Sequence, residues 1–264
     1  MLQLEKVYKI FNEGSLDEKI ALNNINLKLE NGEFVTIIGS NGAGKSTLMN
    51  IVSGGINPDL GKVYINDSDV TIEYEYRRSK LIGRVFQDPN MGTSPSMSIE
   101  ENLAMAYSRN KTRTFKIAVT KKRRSFFKET LKILHLNLEN RLDTKVKFLS
   151  GGERQALSLL MATFTEPSML LLDEHTAALD PARAKLITNL TKEIVNKFNL
   201  TTLMVTHNMQ QAIDLGTRLI MMDNGKIILD INSEDKKKLT VDSLIDEFHR
   251  IKGSKINNDN VLLS

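Results

Sequence analysis

The sequence contains no cysteine. This excludes a disulfide-stapled scaffold, a cysteine-zinc site and thiol catalysis, while leaving the redox compartment open. It also has no long apolar run. Nothing approaches the roughly 18–20 apolar residues of a membrane-spanning helix, and the best runs, Leu157–Phe164 and Met169–Leu172, are sized for a protein core. The N-terminus, MLQLEKVYKIFNEG, alternates and carries charges, so it lacks the continuous apolar region of an export signal. The expectation is a chain that stays in the cytoplasm unless a partner holds it at a membrane. There is no repeat at solenoid periods, no low-complexity tract and no heptad array.

What is present is 264 residues, 41% hydrophobic and 26% charged, too apolar for a disordered chain and long enough to bury a sizeable core. The net charge of +4 is misleading, because it is unevenly spread. Nine basic residues and no acidic one lie between Arg109 and Lys128 (Arg109, Lys111, Arg113, Lys116, Lys121, Lys122, Arg123, Arg124, Lys128); of 36 basic and 32 acidic residues, that leaves 27 against 32 elsewhere, a net of −5. Phe115, Ile117, Val119, Phe126 and Phe127 interleave with these charges. Three readings of the segment stay open: a solvated charged face, contact with anionic lipid headgroups, or nucleic-acid binding.

Along the chain, alternation predicts strands at Leu2–Val7 and Ile25–Leu29, followed by a turn at Asn31-Gly32. Glu33–Ile38 is β-rich and runs into glycines, and Lys45–Ser53 reads as a helix. Lys62–Ile65 and Ile82–Phe86 are further strands. Ser98–Leu138 is helical in pattern, as is Glu153–Thr165. Met169–Leu172 suits a strand covered on both faces. Pro181 opens a helix reaching about Phe198, and Thr201–Thr206 is a strand. Asp223-Asn224-Gly225 joins Arg218–Met222 to Lys226–Asp230 as a hairpin. Val241–Ile251 reads as a helix and residues 251–264 as a loose polar tail. The sum is an α/β core interrupted by a helical insert.

Gly39-Ser40-Asn41-Gly42-Ala43-Gly44-Lys45-Ser46 fits G-x-x-x-x-G-K-[ST] and sits after a strand, opening a helix. Small residues let the backbone curl so that successive N–H groups face phosphate oxygens, and the helix adds its positive end. Lys45 can reach the β- and γ-phosphates, Ser46 can offer its hydroxyl to Mg²⁺, and Thr47 can donate to the α-phosphate. The competing reading is a glycine-rich turn that matches by accident. Met169-Leu-Leu-Leu-Asp173-Glu174 is an apolar strand ending in two acids, which is costly unless a cation waits there. Asp173 suits the Mg²⁺ shell, and Glu174 suits the base for an attacking water. Alternatively, both cap the helix that follows.

Leu149-Ser150-Gly151-Gly152-Glu153-Arg154-Gln155 opens another helix some twenty residues before the carboxylate strand. With that combination the chain resembles the ATP-binding subunits of ABC transporters, up to about Phe248. The resemblance implies a P-loop NTPase core (a RecA-like mixed sheet) with an antiparallel β subdomain and an inserted α-helical subdomain at about 93–150, all within one domain over residues 1–250. It implies ATP and Mg²⁺ as cofactors. Phe11 would stack on adenine, with Tyr8 as the competitor. Gln87 matches the glutamine that touches Mg²⁺ or the water, Asp180 a loop at the dimer contact, and His207 the switch histidine at the γ-phosphate. Ser150, Gly151, Gly152 and Glu153 would complete the nucleotide site of a second copy. The implied partners are that second copy, a transmembrane permease and an extracytoplasmic substrate-binding protein, with no nucleic acid, at the cytoplasmic face of the membrane.

His175 departs from the pattern, since many family members have Pro after the two acids. DEHTAALD, GRVFQDP and MATFTEP together are similar to a subgroup of bacterial importer ATPases linked to tryptophan, tyrosine or related small substrates. Rival readings are a lipoprotein-releasing or efflux ATPase, a soluble ABC ATPase in DNA repair or translation, and a regulatory ATP-binding module without activity.

Overall fold

The computed structural model describes residues 1–109 and 119–261, with side chains followed to Ile251. The chain opens with β1 (Leu2–Phe11) and β2 (Lys19–Leu29), enters β3 (Phe34–Gly39) and passes through the glycine loop into α1 (Lys45–Ser53). β4 (Leu60–Ile65), the two-residue β5 (Ser68–Asp69) and the one-turn α2 (Glu75–Arg78) lead to β6 (Ile82–Val85). Three helices follow, α3 (Ile99–Tyr107), α4 (Lys121–Leu131) and α5 (Gly151–Thr163). The rest alternates: β7 (Met169–Asp173), α6 (Pro181–Phe198), β8 (Thr201–Val205), α7 (Met209–Asp214), β9 (Arg218–Asp223), β10 (Lys226–Ile231), α8 (Ser233–Lys236) and α9 (Val241–Val261).

Two sheets result, an antiparallel one ordered β2-β1-β4-β5 and a six-stranded mixed one ordered β10-β9-β3-β8-β7-β6. In the second, β9, β3, β8, β7 and β6 are parallel and only β10 is antiparallel. Parallel strands must be covered on both faces, and they are. Val35, Ile37, Leu171 and Leu203 pack toward α1 and the antiparallel sheet, with Leu4, Leu22 and Leu48. Leu170, Leu172 and Met204 pack toward α5, α6 and the helical insert, with Leu157, Ile187 and Leu103. The fold is therefore the α/β core and helical insert read from the sequence, with the antiparallel β subdomain that the resemblance implies.

The helix that starts at the glycine loop is pinned at its far end. The fully buried Arg78 donates to Ile51 O at 2.6 Å and Val52 O at 3.1 Å at the end of α1, and also to the carbonyls of Val70, Thr71 and Glu73. A cation there complements the negative end of the helix.

A second buried cation ties α8 to the end of α7. Lys236, 5% exposed, donates to the carbonyls of Leu215 and Gly216 and to Thr36 Oγ1. Burial pushes its ammonium down to about 8, against an opposing pull from Asp214. The folded chain therefore releases this proton before the unfolded chain does, so stability rises with pH across the interval from about 8 to the ordinary lysine value. The expected gain between about pH 7.5 and 9.5 is about 2 kcal/mol relative to Lys236→Met. Urea unfolding of both proteins at the two pH values checks it, and parallel curves would refute it.

Several boundaries differ from the sequence reading. β1 reaches Phe11 because pairing with β2 continues through register shifts near Val7 and Lys9, where the alternation breaks. Ser98–Leu138 is not uniformly helical: after α4 it breaks into 3-10 turns at residues 132–134 and 138–140, with His135 and Asn137 at positive φ. α9 continues to Val261, past Ile251, where a loose tail was expected, and no proline interrupts it.

Within the basic segment, Lys111, Arg113, Phe115, Lys116 and Ile117 lie outside the described residues. The described members divide: Arg109, Arg123 and Arg124 are engaged in structure, whereas Lys121, Lys122 and Lys128 are exposed. Arg124 pairs with Glu100 and Asp143, each at 2.5 Å, and Arg123 lies over the Tyr107 ring. Phe126, about half-exposed, and the buried Phe127 pack with Tyr107 and Phe164.

Candidate functional site

Asn41 to Thr47 line a cavity of about 180 Å³ together with Phe11, Lys19, Glu174 and His207. The loop needs its glycines. A Cβ on Gly39 would lie 2.2 Å from Met222 O, and one on Gly44, at φ 99, would lie 2.3 Å from Ala21 O. Gly44 is the N-cap of α1 and no side chain caps it, so the first N–H groups of the helix remain for an anion. Lys45 is buried and folds back over the loop, its Nζ donating to Gly39 O at 2.8 Å and Ser40 O at 2.9 Å. Burial lowers its proton affinity, and the charges of Glu174 and Asp173 work against that shift.

The β9–β10 turn braces the loop from behind. Ser40 Oγ donates to Asp223 Oδ1 at 3.1 Å, and Gly225 N donates to Ala43 O at 3.1 Å. Phe11, with Lys9 Nζ 5.7 Å from its ring centroid, lines the cavity, whereas Tyr8 lines a groove on the antiparallel sheet.

The carboxylates diverge at the end of β7. Glu174 takes φ 45, a left-handed conformation rare outside glycine, while its N–H donates to Val205 O at 3.0 Å. Its Oε1 meets His207 Nε2 at 2.5 Å. Glu174 is mostly buried and His207 is half-exposed. Asp173 instead accepts from Arg84 Nη2 at 3.1 Å, and the two line a separate cavity of about 750 Å³ with Phe86 and the exposed Gln87. His175, at the departure from the family pattern, is buried, with Nε2 3.0 Å from Thr191 Oγ1 of α6; burial pushes the ring down to about 4, so it stays neutral.

Ser150 N-caps α5 in a capping box: its Oγ accepts from Glu153 N at 3.3 Å, and Glu153 accepts from Ser150 N at 2.7 Å and from Arg141 at 2.6 Å. Asp180 N-caps α6 through Arg183 N. The structure thus brings Phe11, the glycine loop, Glu174 and His207 together. It sets Gln87 with Asp173, and places none of Ser150, Gly151, Gly152, Glu153 or Asp180 on the cavity.

The family model described as ABC transporter matches residues 22–177. The chain belongs to the ABC transporter family. Among relatives of this ABC ATPase, a tyrosine transport ATP-binding protein of Clostridioides difficile (strain R20291) is 43% identical over 248 residues, covering 94% of this chain and 98% of that one. An energy-coupling factor transporter ATP-binding protein of Clostridium tetani (strain Massachusetts / E88) is 32% identical over 87% of this chain and 78% of that one. Of solved structures, the ATP-binding cassette MJ0796 in a dimeric post-hydrolysis state with ADP and Pi superposes with a TM-score of 0.75 at 30% identity, over 88% of this chain and 99% of that one. The ADP conformation of MJ1267 gives 0.77 at 28% identity, over 94% and 98%. The ABC ATPase is a nucleotide-binding, ATP-hydrolysing transporter subunit, and no helix among its described residues is long and apolar enough to cross a membrane.

Sequence reasoning missed Arg84, Asp223 and the threonines around His207. Arg84 had a signal, a lone cation inside the apolar strand Ile82–Val85. The others carried none: Asp223 meets Ser40 from 183 positions away, and Thr176 and Thr188 meet Gln211 from 35 and 23 positions away.

Proposed function

We propose that the chain forms a nucleotide-sandwiched pair beneath a permease at the cytoplasmic face of the membrane and powers import of tyrosine or a similar amino acid delivered by an extracytoplasmic binding protein. The observation that carries the reading is the 2.5 Å contact between Glu174 and His207 at the edge of a glycine-loop cavity from which the Ser150 helix start is absent. Such a chain holds two half-sites, and two-fold pairing completes both. The substrate class rests on the relative named for tyrosine transport, which the chain matches over nearly its whole length. We assign one cassette domain to residues 1–250, with the helical insert at about 93–150.

The residues fit the cofactors. The loop presents backbone donors, an uncapped helix start and a buried lysine, the donor set a triphosphate needs. Ser46 and Asp173 are hard oxygen donors of the kind Mg²⁺ takes, with Gln87 beside Asp173. Among the described residues no three acidic or histidine side chains converge, so the remaining ligands of the ion would be nucleotide and water oxygens.

Bound Mg-ATP supplies the anhydride that is cleaved. Lys45 and the loop amides hold the phosphate chain, Phe11 offers its ring to the base, and Glu174 takes the proton of the attacking water. His207 fixes the Glu174 carboxylate through Nε2 and faces the terminal phosphate, Gln87 reports the state of the site toward the permease, and Ser150 with Gly151 and Gly152 serves the site of the other copy.

Reconstitution of the chain with its copurifying permease and binding protein in proteoliposomes tests this. The expected result is ATP-dependent uptake of labelled tyrosine that excess unlabelled aromatic amino acid suppresses. Uptake that proceeds without ATP, or ATP hydrolysis that no amino acid stimulates, would overturn it.

A further inference from the structure

We propose that Gln211 is a positioning residue that sets the His207–Glu174 pair by clamping the two segments carrying it. This rests on the reading of Glu174 as base and His207 as switch.

The amide orientation is fixed by its partners. Gln211 Oε1 accepts from Thr206 Oγ1 at 2.7 Å, and Nε2 donates to Thr188 Oγ1 at 2.9 Å and to Thr176 Oγ1 at 3.1 Å. Thr188 Oγ1 already gives its proton to Ala184 O at 2.8 Å, so toward Gln211 it can only accept. The side chain thus uses its carbonyl and both amide protons. It spans three elements: the segment after β8, the segment after Glu174, and α6.

His207 sits between two residues that Gln211 holds. On one side Thr206, 4% exposed, gives its hydroxyl proton to the Gln211 carbonyl and accepts from Asn208 N at 3.1 Å. On the other, Asn208 caps α7 by accepting from Gln211 N at 2.9 Å. The opposite end of the clamp is Thr176, two residues after Glu174. One amide therefore fixes the register of the two loops whose side chains meet at 2.5 Å. Hydrogen bonds that fix an active group from behind govern its geometry, and a small displacement of a catalytic pair costs rate more than binding. Gln211 lines a cavity of about 700 Å³ with Glu174 and His207 but is not among the residues lining the phosphate-loop cavity, so nucleotide affinity should not depend on it.

The test compares Gln211→Met, which keeps the length and removes all three amide bonds, with Thr176→Val, which removes one end of the clamp, and Glu174→Gln as reference. The readouts are kcat and KM for ATP, fluorescent-nucleotide affinity, and the His207 ring resonances in the nucleotide-free protein. Gln211→Met should lower kcat about tenfold, leave KM and affinity within about twofold, and shift the His207 signals. Thr176→Val should do the same to a lesser degree, and the double variant should be no worse than Gln211→Met, because both act through one clamp. Parental kcat with unshifted His207 signals in Gln211→Met would overturn the proposal while an inactive Glu174→Gln leaves the site reading intact. Equal losses in kcat and affinity would also overturn it, as general structural damage. If Gln211→Met does not fold, Thr176→Val decides by the same readouts. If Glu174→Gln keeps parental turnover, the reading beneath the proposal fails first.

Discussion

Glu174→Gln is expected to lower ATP turnover by about 10²–10⁴-fold, the range that a positioned general base contributes, while nucleotide affinity stays within about twofold. The substitution keeps the shape and the hydrogen-bonding reach toward His207 Nε2 but removes the group that accepts a proton. It also removes one of the two negative charges that favour the protonated form of Lys45, Asp173 remaining as the other, so the phosphate grip is preserved. Binding without cleavage has a structural consequence. In the proposed pair, the Ser150 helix start of one copy, which lies off its own cavity, meets the phosphates held by the other, so the terminal phosphate bridges the two copies only while it is intact. Light scattering should therefore find the variant dimeric with Mg-ATP and monomeric without nucleotide, whereas the parent returns to monomer as ATP is consumed. Parental turnover in the variant would remove Glu174 from the base position. A low rate with no ATP-dependent dimer would leave the base in place and count against the paired arrangement.

The parts of this site that could be read from the chain are those where the chemistry is contiguous. The glycine loop states its own geometry because each small residue and the lysine fall within eight positions bracketed by a strand and a helix. The acids of Met169–Glu174 are legible for a similar reason: four apolar residues need cover on both faces, and charges at their end need a cation. The core followed too, since the alternation in β3, β7 and β8 sorts side chains to two layers. What stayed hidden are contacts between residues far apart in sequence. Asp173 and Arg84 are 89 positions apart, Ser40 and Asp223 are 183 apart, and Gln211 and Thr176 are 35 apart. Such pairs exist only once sheet order is known, and the order β9-β3-β8-β7-β6 brings together strands from both ends of the chain. Within the basic segment, charge density is visible in sequence, but not that Glu100 and Asp143 are folded against Arg124.

Lys45→Ala should raise the ATP dissociation constant by about 100-fold, since charged hydrogen bonds to phosphate oxygens contribute about 1.5–3 kcal/mol and Lys45 can make more than one. The loss should be selective. AMP, which presents no β- or γ-phosphate, should bind the variant almost as it binds the parent, because the Phe11 ring lies elsewhere on the cavity. The same substitution should leave the unliganded protein as stable as the parent or slightly more so, and this separates a binding role from a structural one. Lys45 is buried with an ammonium whose protonation burial disfavours, and among the described residues its hydrogen-bond acceptors are the carbonyls of Gly39 and Ser40 in its own loop. Removing it relieves a desolvation cost and frees two carbonyls beside an open cavity, where water can reach them. Titration calorimetry with ATP, ADP and AMP at one fixed ionic strength, alongside thermal melts without nucleotide, measures both halves. An unchanged ATP affinity would refute the cradle. Equal weakening for all three nucleotides, together with a lower melting temperature, would show that Lys45 holds the loop together rather than the phosphates.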